Sequence, residues 1–160
     1  MVNIHLICVG KLKEKHFASA CAEYEKRLSP FCKLTVTELP EERLPDAPSQ
    51  AQIDVALERE AALILSKVPK SAKLIALCVE GKLLSSEALA SQIEKWTVEG
   101  SSSLALVIGG SFGLPPTVKE KAQLRLSMSP MTFPHHLARV MVLEQVYRAF
   151  QINLGTRYHK

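Results

Sequence analysis

Residues 107–116 read VIGGSFGLPP, and within them Gly109-Gly110-Ser111-Phe112-Gly113 fits G-x-S-x-G. That spacing is the nucleophile elbow of serine hydrolases, in which a strand feeds a strained turn carrying the serine and then a helix. The preceding LALVI supplies the strand. The rest of the chemistry is missing. Pro115 pushes Leu114 out of helical geometry, and Pro115-Pro116 offer no backbone N–H. A helix is expected only later, near 117–123, with Thr117 and Glu120 at capping-box spacing. No Asp follows Ser111, and only Glu144 with His159 keeps the order of a hydrolase triad. The stretch also fits neither G-x-G-x-x-G nor the Walker phosphate loop. What remains is a pair of glycines at a strand end, where the backbone turns tightly or a ligand lies against it.

A second loop points to a ligand. Ser129-Pro130-Met131-Thr132-Phe133-Pro134 joins a strand to the longest helix, with two prolines stiffening it. A rigid loop with free N–H and C=O groups and apolar side chains suits a flat heterocycle such as adenine. Pro134 is expected in the first helical turn, with His135 beside it and Arg139 one turn on, a setting that favours a carboxylate or phosphate. His135 and His136 are adjacent and point in different directions, so no metal site is expected from them.

These loops need a scaffold. Short apolar runs at 2–10, 33–39, 73–80, 104–108 and 124–128 alternate with helical patterns at 15–28, 51–68, 85–100, 117–123 and 134–154. Such alternation in one unit is an α/β fold with a mostly parallel sheet, whose ligands sit beyond the C-terminal strand ends. The loops after residues 80, 108 and 128 are then the places to look. The last helix carries Val140, Leu143, Tyr147, Phe150 and Leu154 on one face, and Met141, Val142, Val146 and Ala149 on another. Apolarity on both faces predicts burial on both, and hence a homodimer.

The bulk properties narrow the class. The chain has 160 residues, 47% hydrophobic and 22% charged, as in one ordinary globular domain. No apolar run is long enough to span a membrane, and no signal peptide is expected. Four cysteines without a C-x-x-C pair fit reduced thiols in a cytoplasmic protein. The net charge of +4 is uneven. Residues 36–66 are acidic, whereas 121–160 set Lys121, Arg125, Arg139, Arg148, Arg157 and Lys160 against Glu144 alone. That segment is expected to attract a polyanion such as RNA.

The segments CVGKLKEKHFASACAEYEKRL, LCVEGKLLSSEALA, VIGGSFGL, LSMSPMTFPHHLARVMVLEQVYRAF and the terminal YHK resemble the ribosomal large-subunit methyltransferase H (RlmH) family across nearly the whole chain. The resemblance implies a single SPOUT methyltransferase domain. Its residues from about 104 to 160 would form a deep trefoil knot and the homodimer interface. It implies S-adenosylmethionine as cofactor, no metal, and methylation of N3 of a pseudouridine in helix 69 of 23S rRNA on the assembled ribosome. DNA and membranes are not implied as partners. Carried over by position, the cofactor site is Leu77, Gly109, Met128, Ser129, Pro130, Met131, Thr132 and Phe133. The general base stays open among His135, Arg139, Tyr158 and His159, with water or hydroxide as a further choice. Two other classes stand beside this reading: a non-catalytic nucleotide-binding regulatory module, and a serine hydrolase using Ser111. The terminal Arg157-Tyr158-His159-Lys160 separates the first of these from a catalyst, since only a catalyst has an evident use for it.

Overall fold

A computed structural model describes residues 1–160. Strands β1 (Val2–Val9), β2 (Cys32–Leu39), β3 (Lys73–Leu83), β4 (Ser103–Ile108) and β5 (Leu124–Ser127) alternate with helices α1 (Lys15–Leu28), α2 (Gln50–Lys67), α3 (Ser86–Val98), α4 (Pro116–Lys121) and α5 (His135–Asn153). The strands form one sheet of order β2-β1-β4-β3-β5, with every pair parallel. All C-terminal strand ends therefore share one edge.

The continuous apolar strands are explained by cover on both faces. In β1, Ile4, Leu6 and Cys8 point into a core shared with α1, α3 and α5, while Ile7 and Val9 point into a second core with α2 and α4. β4 alternates in the same way, with Leu104, Leu106 and Ile108 against Ala105 and Val107. Every residue of β4 is buried, which suits the central strand.

Several boundaries differ from the sequence expectation. β3 runs on to Leu83, beyond the expected end at 80, and shifts register against β5 between Leu77 and Lys82. Only Leu74, Ile75 and Ala76 of β3 are buried, so double-sided cover applies to its first half alone. α4 has Pro115 as its N-cap, and the expected Thr117–Glu120 capping box is not made. Proline already supplies a preset φ there and leaves one fewer N–H to satisfy. Pro134 likewise caps α5 from outside and is not part of its first turn.

α5 lies between α1 and α3. No residue from His135 to Ile152 is exposed. Val142, Leu143, Val146 and Ala149 are buried within the chain, whereas Val140, Met141, Tyr147 and Phe150 are only half-buried. Outside this core, Tyr24, Phe31, Tyr147 and Phe150 form a half-buried aromatic cluster, with Phe31 stacked on Phe150 at 6.2 Å.

Candidate active site

A cavity of about 590 Å³ opens at the C-terminal edge of β3, β4 and β5. That is ample for a nucleoside-sized ligand. Two of its walls are the expected loops after residues 108 and 128, while the third is β3 itself at 77–80, and the expected loop after 80 does not reach it. Leu77, Gly109, Met128, Ser129, Met131, Thr132 and Phe133 line it, and so does His135. Pro130 does not; it stiffens the loop from outside the lining. The sequence reading missed Cys78 and Glu80, which lie at the end of the expected third strand, and Lys119 on α4. Lys119 and Glu80 form an ion pair beside the cavity, holding the Glu80 carboxyl below its ordinary value.

The glycine turn has a local purpose. Gly113 N–H donates to the Gly110 carbonyl at 3.1 Å, folding the chain back over the end of β4. Gly113 reaches φ +79°, which an L side chain rarely adopts. A Cβ on Gly109 would lie 2.5 Å from the carbonyl carbon and oxygen of Gly113. The first glycine is therefore required by the chain's own close approach, before any ligand is considered. Glu41 braces the turn from the β2–α2 loop, its Oε1 accepting the Ser111 N–H at 2.7 Å. Ser111 is exposed, and no residue other than glycine has positive φ. Ser111 lacks the strained φ of an elbow and makes no hydrogen bond to a histidine, which counts against the hydrolase reading.

The 128–134 loop keeps its backbone available. Ser127 Oγ donates to the Ser129 carbonyl at 3.0 Å, and the Met131 N–H donates to Ser129 Oγ at 3.0 Å. The N–H groups of Thr132 and Phe133 and the carbonyls of Met128, Met131 and Thr132 make no hydrogen bond within the chain. A pinned loop with unspent donors and acceptors beside apolar side chains can hold a heterocycle edge-on and face-on together.

The four candidate bases separate by position. Arg139 is 3% exposed and points away from the cavity. Its Nη1 donates to Glu38 Oε2 at 2.6 Å and its Nη2 to the Gly10 carbonyl at 3.1 Å. Tyr158 and His159 lie against α5 and α3. Tyr158 Oη donates to Glu144 Oε1 at 3.1 Å, and its ring meets Tyr147 edge-on at 4.9 Å. Burial and the Glu144 hydrogen bond raise the Tyr158 phenol above its ordinary value, so a phenolate there is disfavoured. Arg148 donates to His159 Nδ1 at 3.1 Å, which leaves Nε2–H to donate to Glu87 Oε1 at 2.8 Å. Only His135 lines the cavity, and burial together with neighbouring His136 lowers its imidazole below 6.5. A lowered pKa favours the neutral imidazole at pH 7.

The cysteines are chemically quiet. Burial pushes the Cys8 thiol up to about 12 and Cys32 to about 11. No group of three or more His, Cys, Asp or Glu side chains is placed to hold a metal ion, and no helix is long and apolar enough to cross a membrane.

An all-parallel α/β sheet with a ligand-sized cavity at its C-terminal edge has known relatives. A family model described as a predicted SPOUT methyltransferase matches residues 2–159. Two solved structures share the fold: a probable methylase family protein from Haemophilus influenzae (TM-score 0.54, 14% identity, covering 99% of this chain and 71% of that one) and a putative methylase family protein from Neisseria gonorrhoeae (TM-score 0.53, 16% identity, 91% and 82%). The fold and the family match together define a SPOUT-class methyltransferase. More specifically, ribosomal RNA large subunit methyltransferase H of Clostridium novyi is 49% identical over 159 residues, 99% of this chain and 100% of that protein. Its counterpart in Levilactobacillus brevis is 46% identical over the same span. The chain belongs to the ribosomal RNA large subunit methyltransferase H family.

Proposed function

We propose that this chain transfers a methyl group from S-adenosylmethionine to N3 of a pseudouridine in helix 69 of 23S rRNA, on the assembled ribosome. The carrying observation is the cavity bounded by Leu77, Gly109 and the 128–133 loop, with unspent backbone groups on one side and His135 on the other. The two relatives cited above bear the name of an enzyme of ribosomal RNA, which supports the substrate class. S-adenosylmethionine supplies an electrophilic methyl group on a sulfonium, so no metal is needed. The chain's part is alignment and proton removal. The backbone of Thr132 and Phe133 would hold the adenine edge, with Met131 and Leu77 against its faces. The fold family's trefoil knot would be formed by residues from about 104 to 160 and would hold these loops together.

His135 is the acceptor this geometry favours for the N3 proton. Transfer should fall as pH drops through a midpoint below 6.5, because protonated imidazole cannot accept. In His135→Asn that acid limb should vanish and the plateau rate should drop about 10²-fold or more, the usual worth of a positioned base. An unchanged pH–rate profile in His135→Asn would return the role to water.

The proposal includes a homodimer that uses the aromatic cluster of Tyr24, Phe31, Tyr147 and Phe150. The terminal tail would close over the target base. For Tyr158 or His159 to reach the cavity, their contacts to Glu144 and Glu87 must break, or the tail must come from the second subunit. Deleting residues 157–160 is expected to abolish transfer, while calorimetry still shows cofactor binding and sedimentation still gives twice the chain mass. Full activity without the tail, as a regulatory module's dispensable end would allow, contradicts this part of the reading.

A further inference from the structure

We infer that the loop between β1 and α1, together with the first residue of α1, is an RNA-backbone contact, with Lys11, Lys13 and Lys15 binding phosphates of the nucleic acid whose base enters the cavity. This deepens the proposed function and rests on it. The expected basic surface lay in residues 121–160, yet two of its cations are spent inside the molecule: Arg139 on Glu38 and Arg148 on Glu144. The three lysines are exposed and form no ion pair.

The loop is held at fixed points next to the site. Gly10 N–H donates to the Leu39 carbonyl at 2.7 Å, and the Gly10 carbonyl accepts from Arg139. Leu12 N–H donates to Glu38 Oε2 at 3.0 Å, while the Leu12 side chain packs on the core beneath. Lys11 and Lys13, on either side of that anchor, are left in solvent. Glu14 Oε2 meets His136 Nδ1 at 3.2 Å, tying the loop's far end to α5. A Cβ on Gly10 would lie 3.8 Å from His135 Nε2, so the loop adjoins the cavity wall.

The nearby acids are committed: Glu38 to Arg139 and Leu12, Glu14 to His136, and Glu41 to Ser111. Of the charges that the loop turns to solvent, the three lysines outnumber the one exposed acid, Glu14. Lysine ammonium groups are point charges that neutralise phosphate without reading bases. That suits a protein whose target is specified by the shape of a large RNA.

The test compares wild type with the triple variant Lys11→Gln, Lys13→Gln, Lys15→Gln and with the matching triple Arg variant. The KM for ribosomes lacking the modification is measured at 50 and 200 mM salt. Three phosphate contacts change the slope of log affinity against log salt by about 2. The Gln variant should therefore show a KM raised about tenfold or more at the lower salt and a flattened salt dependence. Its kcat should stay within about twofold and its S-adenosylmethionine affinity by calorimetry should be unchanged. The Arg variant should restore the wild-type KM. A Gln variant with wild-type KM and salt slope overturns the inference while leaving the methyltransferase reading intact. Should the wild type transfer no methyl group, that reading fails. Co-sedimentation of the same variants with the same ribosomes then decides the lysine contact separately: equal binding overturns it, and Gln-specific loss supports it.

Discussion

Arg139→Met is expected to lower the unfolding free energy by about 3 kcal/mol, the low end of the cost of removing one partner from a buried ion pair, because Glu38 keeps 34% of its side chain in solvent. For a chain of this length that is a fall of roughly 10 °C in Tm. Methionine matches the length of the buried side chain, so the loss is not chiefly a cavity. It comes from Glu38, left with the Leu12 amide alone, and from the Gly10 carbonyl, left without its donor. The same pair carries a pH signature. Burial would raise the Glu38 carboxyl, but the Arg139 hydrogen bond and the Leu12 amide outweigh it and hold it below 4.5. A carboxyl depressed in the folded state stabilises above its unfolded pKa, and that stability is lost as pH falls through the folded value. Wild type should therefore lose stability faster than Arg139→Met on acidification below about 4.5. Thermal unfolding from pH 7 to pH 3 measures both effects. Identical curves would show the pair to be energetically idle.

Gly109→Ala is expected to cost at least about 100-fold in S-adenosylmethionine affinity, or about 2.7 kcal/mol. A stability loss of about 1–3 kcal/mol should accompany it, as for other overpacked sites. The new methyl group would meet the backbone of Gly113 at 2.5 Å and the Leu114 nitrogen at 2.8 Å. No rotamer change relieves a contact with backbone. The turn over residues 110–113 must move, and Gly109, Gly110, Ser111 and Gly113 all line the cavity. Glu41 would lose its hold on the Ser111 N–H in the same displacement. Calorimetry with the cofactor checks the first figure and thermal unfolding the second. Unchanged affinity would mean that the turn does not shape the binding site.

Much of this architecture was legible in the sequence because it is written in local patterns. The apolar runs are strands because helices cover both faces, and α1 is amphipathic at helical spacing from Lys15 to Leu28. The glycine pair and the proline-stiffened loop stood out because backbone chemistry is local too. The rest depends on strand order. Glu38 and Arg139 are 101 residues apart and meet because β2 lies beside β1 at the edge where α5 begins. No spacing rule announces that pair, so Arg139 read as a ligand-facing cation when it is an internal one. Glu41 and Ser111, 70 residues apart, are joined in the same way. The extension of β3 to Leu83 escaped notice because Glu80-Gly81-Lys82 reads as a turn; pairing with β5, resumed after a register shift, keeps it extended. The tail's attachment to Glu144 and Glu87 was equally hidden, since polar side chains carry no periodic signal.

The central claim is tested most directly by supplying methyl-labelled S-adenosylmethionine and purified protein to ribosomes that lack the modification. Their separated subunits and an isolated helix 69 hairpin serve as parallel substrates, and the labelled nucleotide is then mapped by mass spectrometry. The account predicts one labelled pseudouridine, methylated at N3 in helix 69 of the assembled particle, with little transfer to the bare hairpin. No label in 23S rRNA, label at another nucleotide, or equally efficient methylation of the free hairpin would contradict it.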